Sequence, residues 1–378
     1  MKFRVLIALC LSTYAAALPA LAAAPVPNPP AVEAKGYVLM DFATAQVLAG
    51  TNAEQRLEPA SLTKLMTTYV VFDALRSGRL KMDEQILISE HAWRAEGSRT
   101  FVQVGTRVPV DTLIKGMIVQ SGNDATIALA ERVGGTEPAF VEMMNEYAKR
   151  LGMNSSHFED STGLPSPQHY TTPTDLATLS RAIIRDFPQY YGLYSLKEFT
   201  YNNIRQENRN GLLERDPSVD GMKTGHTDAA GYCLISSAKR QNMRLVSVVM
   251  GSPSVKARED ASEALLNFGF TNFETVSLKK AGDTVLKPRI YKGTADYVAV
   301  GPASDVQLTV PRGESGMVVT QASVRRPLIA PVDVHTAIGE LQVSVGDKVV
   351  AKVPMYALAP VGEGSLWRRM VDAISLWF

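Results

Sequence analysis

Two cysteines in 378 residues leave this chain almost nothing to crosslink. Cys10 lies in an N-terminal apolar segment and Cys233 stands alone beyond it. A disulfide framework is therefore excluded, stability has to come from core burial, and Cys233 is expected inside as a small apolar residue. Excess charge is missing too. Against 38 acidic side chains there are 39 basic ones, and the net charge of +1 provides no global field to draw in nucleic acid or a strongly charged partner. Histidine is scarce and scattered: His91, His157, His169, His226 and His335 fall in no metal-ligand spacing, so metal catalysis finds little support. The longest apolar run is Val5–Leu21. Lys2 and Arg4 precede it, Ser12, Thr13, Tyr14 and Pro19 interrupt it, and a proline-rich stretch from Pro25 to Pro30 follows. Such flanks fit an export signal better than a membrane span, and Ala20-Leu21-Ala22 places the expected cleavage after Ala22, with residues 23–35 as a linker.

What is present is enough apolar material, 46% of the chain, to fill two ordinary domains. From Gly36 to Leu48 apolar and polar residues alternate around a turn-like centre at Asp41–Ala45, which predicts a hairpin. The period then changes. Leu62, Leu65, Met66, Tyr69 and Val70 recur at the spacing of a helix with one buried face, bounded by Pro59 and Gly78. A helix capped by Asp111 is expected to run through Val119, break at Ser121-Gly122-Asn123, and resume from Ala125 to Arg132 before Gly134-Gly135. Helices over Phe140–Leu151 and Asp175–Ile184, with strands over Tyr232–Ile235 and Leu245–Met250, give residues 36–276 the character of an α+β domain. Over 277–361, short apolar strands such as Tyr297–Val300, Val306–Val310, Gly316–Gln321 and Leu341–Val345 alternate with Gly, Pro and Asp turns, the texture of a small all-β domain. Within 362–378, Leu366, Trp367, Met370, Val371, Ile374 and Trp377 fall on one side of a helix, and Arg368, Arg369 and Asp372 on the other. Too short to span a bilayer, this amphipathic helix suits the plane of a membrane surface; the competing expectation is a helix docked on its own domain.

Three short motifs carry reactive groups. Ser61-Leu62-Thr63-Lys64 opens a helix, so hydroxyl and amine stand one turn apart on one face, close enough to touch. A serine nucleophile needs a base. A lysine desolvated at a helix start can have its pKa lowered enough to act as one, and the helix N-terminus favours developing negative charge. The same spacing recurs at Ser236 with Lys239 and at Ser277 with Lys280, but in expected strands or turns, where positions three apart face opposite ways and cannot cooperate. Ser121-Gly122-Asn123 offers a second hydroxyl and an amide at a helix break. Lys223-Thr224-Gly225, after Asp220-Gly221 and before His226, can present a cation, a hydroxyl and a close backbone to an extended ligand from a strand edge.

In this order the three motifs form the signature shared by penicillin-binding proteins and class A β-lactamases. With Asn208-Arg209-Asn210-Gly211-Leu212-Leu213, Val219-Asp220-Gly221, Gly225-His226-Thr227 and Leu265-Leu266 before Gly269, the chain resembles the low-molecular-mass penicillin-binding proteins that act as serine-type D-alanyl-D-alanine carboxypeptidases. The resemblance covers essentially the whole mature chain. It implies a β-lactamase/transpeptidase-like domain, an antiparallel sheet with helices, followed by the small β domain and the amphipathic tail. It implies Ser61 as nucleophile, Lys64 as its base, and Ser121 and Lys223 as a proton relay toward the leaving amine. Asn123 would hold the substrate amide, Thr224 and Arg258 its terminal carboxylate, and the backbone N–H groups of Ser61 and His226 the oxyanion; Gly225 and Arg209 would line the same substrate site. No cofactor is implied. The expected partners are peptidoglycan stems ending in D-Ala-D-Ala, β-lactam antibiotics and, through the tail, the periplasmic face of the inner membrane. A class A β-lactamase would need a positioned Glu, and no Glu-x-x-Leu-Asn pattern lies between the second and third motifs, where Glu159 stands without it. A D,D-endopeptidase would use the same residues. A silent wall-binding scaffold is disfavoured by the intact set of reactive groups.

Overall fold

The computed structural model describes residues 26–377, so the export signal expected over 1–22 and its Cys10 lie outside the described residues. Strands β1 (Gly36–Asp41) and β2 (Val47–Thr51) form the hairpin that the alternation predicts. Asp41 closes its turn by accepting from the amide and hydroxyl of Thr44 at 2.8 and 3.0 Å. A 3-10 turn, Ala60–Thr63, then runs straight into α1 (Lys64–Arg76). Next come α2 (Val110–Lys115), α3 (Asn123–Gly134), α4 (Glu137–Arg150) and α5 (Pro173–Asp186). Thr136 and Thr172 cap the last two, each hydroxyl accepting from the amide three residues on. Asp111 does not cap α2. Pro109 holds that position, and Asp111 pairs instead with Lys115 at 2.6 Å, four residues ahead. The helix expected to reach Val119 also changes pitch, because Gly116–Gln120 widens into a π turn.

β3 (Val219–Thr227), β4 (Gly231–Arg240) and β5 (Met243–Ser252) join the hairpin in one antiparallel sheet, in the order β2-β1-β5-β4-β3. Both faces are covered, and strand alternation sorts the side chains between them. Val38, Met40, Ile235, Val246 and Val248 enter a core shared with α1, α3, α4 and α5, whereas Leu39, Leu234, Leu245 and Val249 meet α6 (Val255–Asn272) on the opposite face. The α6 helix lies so close that a Cβ on Gly269 would come within 2.5 Å of Leu245 Cδ1. Each fully buried Leu or Val is worth about 1.5–3 kcal/mol, so this double core holds the domain. Cys233 joins it as a buried, unbridged thiol. A short hairpin over Glu198–Tyr201 and Ile204–Glu207, absent from the expectations, sits beside the π turn.

The second layer is all β. Strands β6 (Phe273–Lys279), β7 (Val300–Pro302), β8 (Val306–Pro311), β9 (Val318–Val324), β10 (Ala337–Val345) and β11 (Lys348–Ala357) make a β6–β8 ribbon and a sheet ordered β7-β11-β10-β9. Two expected strands shift: Tyr297 is 56% exposed and precedes its strand, and Gly316 lies in a 3-10 turn ahead of Val318. β6 leaves α6 directly and runs across residues 276 and 277 without a break. Thr275 donates to Asp41 at 2.7 Å and the hydroxyls of Thr44 and Thr309 meet at 2.8 Å, joining the ribbon to the β1–β2 turn.

The tail helix α7 (Leu366–Ser375), capped by Ser365, docks by its polar side. Asp372 is buried, accepts from the amide of Lys292 and lies 3.7 Å from Arg289; Arg368 pairs with Asp296, and Arg369 with Glu363 at 2.6 Å. The opposite side faces away, with Trp367 71%, Met370 51% and Trp377 91% exposed. No described helix is long and apolar enough to cross a membrane.

Candidate active site

Ser61 sits in the 3-10 turn and Lys64 begins α1, so the spacing that three residues of helix impose brings Lys64 Nζ to 2.9 Å from Ser61 Oγ. The amine also donates to the carbonyl of Thr162 at 2.7 Å. Burial pushes the Lys64 pKa down to about 7; the Asp160 carboxylate opposes the fall, Arg209 adds to it and Asp124 opposes it again. An amine that releases its proton near neutrality beside a serine hydroxyl is a base placed against a nucleophile. The two look-alike pairs are not: Ser236 is buried on β4 while Lys239 is exposed, and Ser277 and Lys280 are both exposed.

The helix break delivers the second pair of groups. Ser121 takes a left-handed conformation, φ 64°, that costs a residue with a side chain on the order of 1 kcal/mol. Its hydroxyl and the Asn123 Oδ1 are buried without a protein partner among the described residues. Asn123 is fixed by its other atoms, donating from Nδ2 to the Glu96 carbonyl at 2.5 Å and from its amide to the Ser98 carbonyl at 2.7 Å. Asp124, fully buried, accepts from the amides of Thr100, Phe101 and Val102 at 2.7, 2.8 and 3.1 Å, and so holds the segment carrying Gly97 and Ser98 against the break.

The third motif lies on β3, which among the described residues pairs with β4 alone and stands at the edge of the sheet. A Cβ on Gly225 would stand 3.2 Å from the Ser61 amide nitrogen and 3.1 Å from the Pro59 carbonyl, so glycine lets this edge close onto the nucleophile's turn. Lys223 is buried behind it. Burial first, then the cations Lys64, Arg209 and Arg258, hold its pKa well below the ordinary lysine value. Arg258, in the first turn of α6, is likewise buried and reaches the carbonyls of Gly225 and Cys233 at 3.4 Å and that of Arg209 at 3.2 Å. His226 stacks on Tyr232 with centroids 4.0 Å apart, and the Arg258 guanidinium lies 5.9 Å from the centre of that tyrosine ring.

These groups bound one cleft of about 580 Å³, lined by Ser61, Gly97, Ser98, Ser121, Arg209, Thr224, Gly225, His226, Tyr232, Val255 and Arg258. Lys64, Asn123 and Lys223 stand behind the lining. Arg209 and Arg258 both line this end of the cleft, which makes it cationic and suits it to a carboxylate. Tyr232, Asp124, Asp160 and the Thr162 carbonyl belong to no motif. Asp124 alone carried a local signal, an acid in the first turn of a helix that opens at Asn123. Glu159 engages Ser166 on an exposed loop and does not line the cleft.

Comparison with known proteins agrees with this geometry. Residues 23–254 match the D-alanyl-D-alanine carboxypeptidase peptidase family, and residues 273–363 match the C-terminal domain of penicillin-binding protein 5. The chain is 42% identical to the D-alanyl-D-alanine carboxypeptidase DacD of Salmonella typhimurium, over 94% of each sequence. Its structure is similar to the crystal structure of penicillin-binding protein 5 from Haemophilus influenzae, with a TM-score of 0.85 and 42% identity over 89% of this chain and all 100% of the other. It is also similar to penicillin-binding protein D2 of Listeria monocytogenes in its ampicillin-bound form, with a TM-score of 0.60 and 30% identity over 65% of this chain and 99% of the other.

Proposed function

Because the chain belongs to the D-alanyl-D-alanine carboxypeptidase family of serine-type peptidases, we propose a specific part in that reaction for each group of the cleft. The protein is a penicillin-binding hydrolase that removes the terminal D-alanine from peptidoglycan stem peptides through an acyl-enzyme. Ser61 gives its proton to Lys64 and attacks the carbonyl of the penultimate D-alanine. The developing oxyanion is received by the amides of Ser61 and His226, where a lost donor costs roughly 3 kcal/mol of barrier. Asn123 holds the peptide amide, and Thr224 and Arg258, with Arg209 beside them, take the free carboxylate. Ser121 and Lys223 pass the proton to the departing amine. Water then cleaves the ester. A β-lactam ring enters the same path, but its leaving group stays tethered, so the acyl-enzyme clears slowly.

One observation carries these assignments: the 2.9 Å contact between Ser61 Oγ and an amine whose pKa burial lowers to about 7. Mass spectrometry after penicillin treatment tests them. A single adduct on Ser61 is expected, and Ser61→Ala should lose both the adduct and D-alanine release, the latter by at least about a thousandfold. An adduct elsewhere, or surviving activity, rejects the assignment. Comparing a pentapeptide with a crosslinked dimer measures how far the same groups also act as an endopeptidase.

The tail and the N-terminal segment extend the proposal to location. The apolar side of α7 lies in the outer surface of the cytoplasmic membrane, reached by export and cleavage after Ala22, and the polar side anchors to the β domain through Asp372 and Arg368.

A further inference from the structure

Lys64 is held from behind by a loop that no catalytic motif includes. The Thr162 carbonyl that accepts from Nζ is fixed by Asp160, whose Oδ1 takes the amide and hydroxyl of Thr162 at 2.6 and 2.8 Å and the amide of Gly163 at 2.6 Å. Oδ2 of the same carboxylate faces Nδ1 of His169 at 3.3 Å. The imidazole is 2% exposed, and its Nε2 lies 2.9 Å from the hydroxyl of Thr63, the residue before Lys64. A carboxylate can only accept, so the Nδ1 that faces it carries a proton, and Nε2 meets the Thr63 hydroxyl. The ring therefore ties the carboxylate to the turn that opens the base's own helix.

We propose that Asp160 and His169 are a positioning pair for the acylation step, a clamped anion beside Lys64 that keeps the buried amine basic and sets the pH at which Ser61 is activated. This rests on Lys64 being the base. Burial alone can drive a lysine to a pKa of about 5–6, neutral at working pH but too weak to draw a proton from a hydroxyl. Asp160 is the largest charge opposing that fall. Burial would raise its own carboxyl, but His169, Gly163 and Thr162 outweigh this and hold it well below the usual carboxylate range, so it stays ionised. The other charged groups facing Lys64 are Asp124 from α3, which supports its proton, and Arg209, which opposes it, while Lys64 itself helps to lower the pKa of Lys223. Glu137 from α4 is engaged with the amide and hydroxyl of Ser161 at 3.1 and 2.6 Å. Glu159 and Ser166, on the same loop, pair with one another.

The rate of Ser61 acylation by benzylpenicillin, measured against pH, reads this pair directly. Wild type should show an acid limb near pH 7, below which the base is charged and idle. Asp160→Asn is expected to move the limb downward by roughly half a unit or more and to lower the plateau, because the amine is then a weaker base. Asp160→Glu should return the limb toward wild type, and His169→Gln, which keeps the carboxylate but loosens it, should move it the same way by less. A limb that stays in place in both Asp160→Asn and His169→Gln while only the plateau falls would overturn the inference and leave the pair a structural brace. Should Asp160→Asn not fold, the limb of His169→Gln decides alone. The underlying assignment fails separately, through a wild-type adduct on a residue other than Ser61, which would overturn both.

Discussion

Lys64 works against the fold that contains it. In the unfolded chain its amine keeps a proton up to a pH of about 10.5, and in the native state only to about 7. Between those values the unfolded state binds more protons, so stability rises with pH through that window, and at or below pH 7 the native state carries the whole penalty. Wild type should therefore gain several kcal/mol on Lys64→Met between pH 7 and pH 10, read from urea midpoints at the two ends. A stability difference that does not change with pH rejects a depressed lysine. At this scale the three motifs were legible because each places its groups within four consecutive residues, and local geometry then did the rest. Asp160, Thr162 and Tyr232 were not legible, since each matters through a contact with a group far along the chain. Arg258 gave no local sign of being buried. Its place depends on how α6 meets the ends of β3 and β4.

Among the elements, the segment between α2 and α3 bears the tightest constraint. A Cβ on Gly122 would sit 2.0 Å from the Thr100 hydroxyl and 2.8 Å from its amide nitrogen. Gly122→Ala must therefore push the 98–102 segment away from the helix break and carry Ser121 and Asn123 off position. Acylation by penicillin should slow by about 10- to 100-fold, and stability should fall by about 1–3 kcal/mol; unchanged acylation would mean the break tolerates movement. Period told helix from strand for α1, α4, α5 and the central sheet, while ends escaped it. β4 and β5 run ten residues each because helices cover both faces and the apolar signal never alternates cleanly. The hairpin over 198–207 was readable in principle. Its turn, Asn202-Asn203, has positive φ at both residues, the conformation that asparagine tolerates best after glycine. The π turn had no such mark.

For the whole molecule, the question is how two domains and a tail divide the work. The cleft is lined by residues between 61 and 258, and the tail helix is tied to the β domain through Asp372 and Arg368. Ending the chain after Gly364 should release the protein from lipid vesicles and leave its rate of penicillin acylation unchanged; retention on vesicles would count against the tail as anchor, and a slowed acylation against this division. The amphipathic pattern announced the tail's two sides, but which one turns inward follows from Asp372 meeting Lys292 and Arg289, a match no pattern contains. That inward clamp makes α7 a bracket rather than a leash. Were its apolar side to seat on a bilayer, a helix clamped this way would let the β domain lean on the lipid directly, where a flexible tether would leave it free to drift.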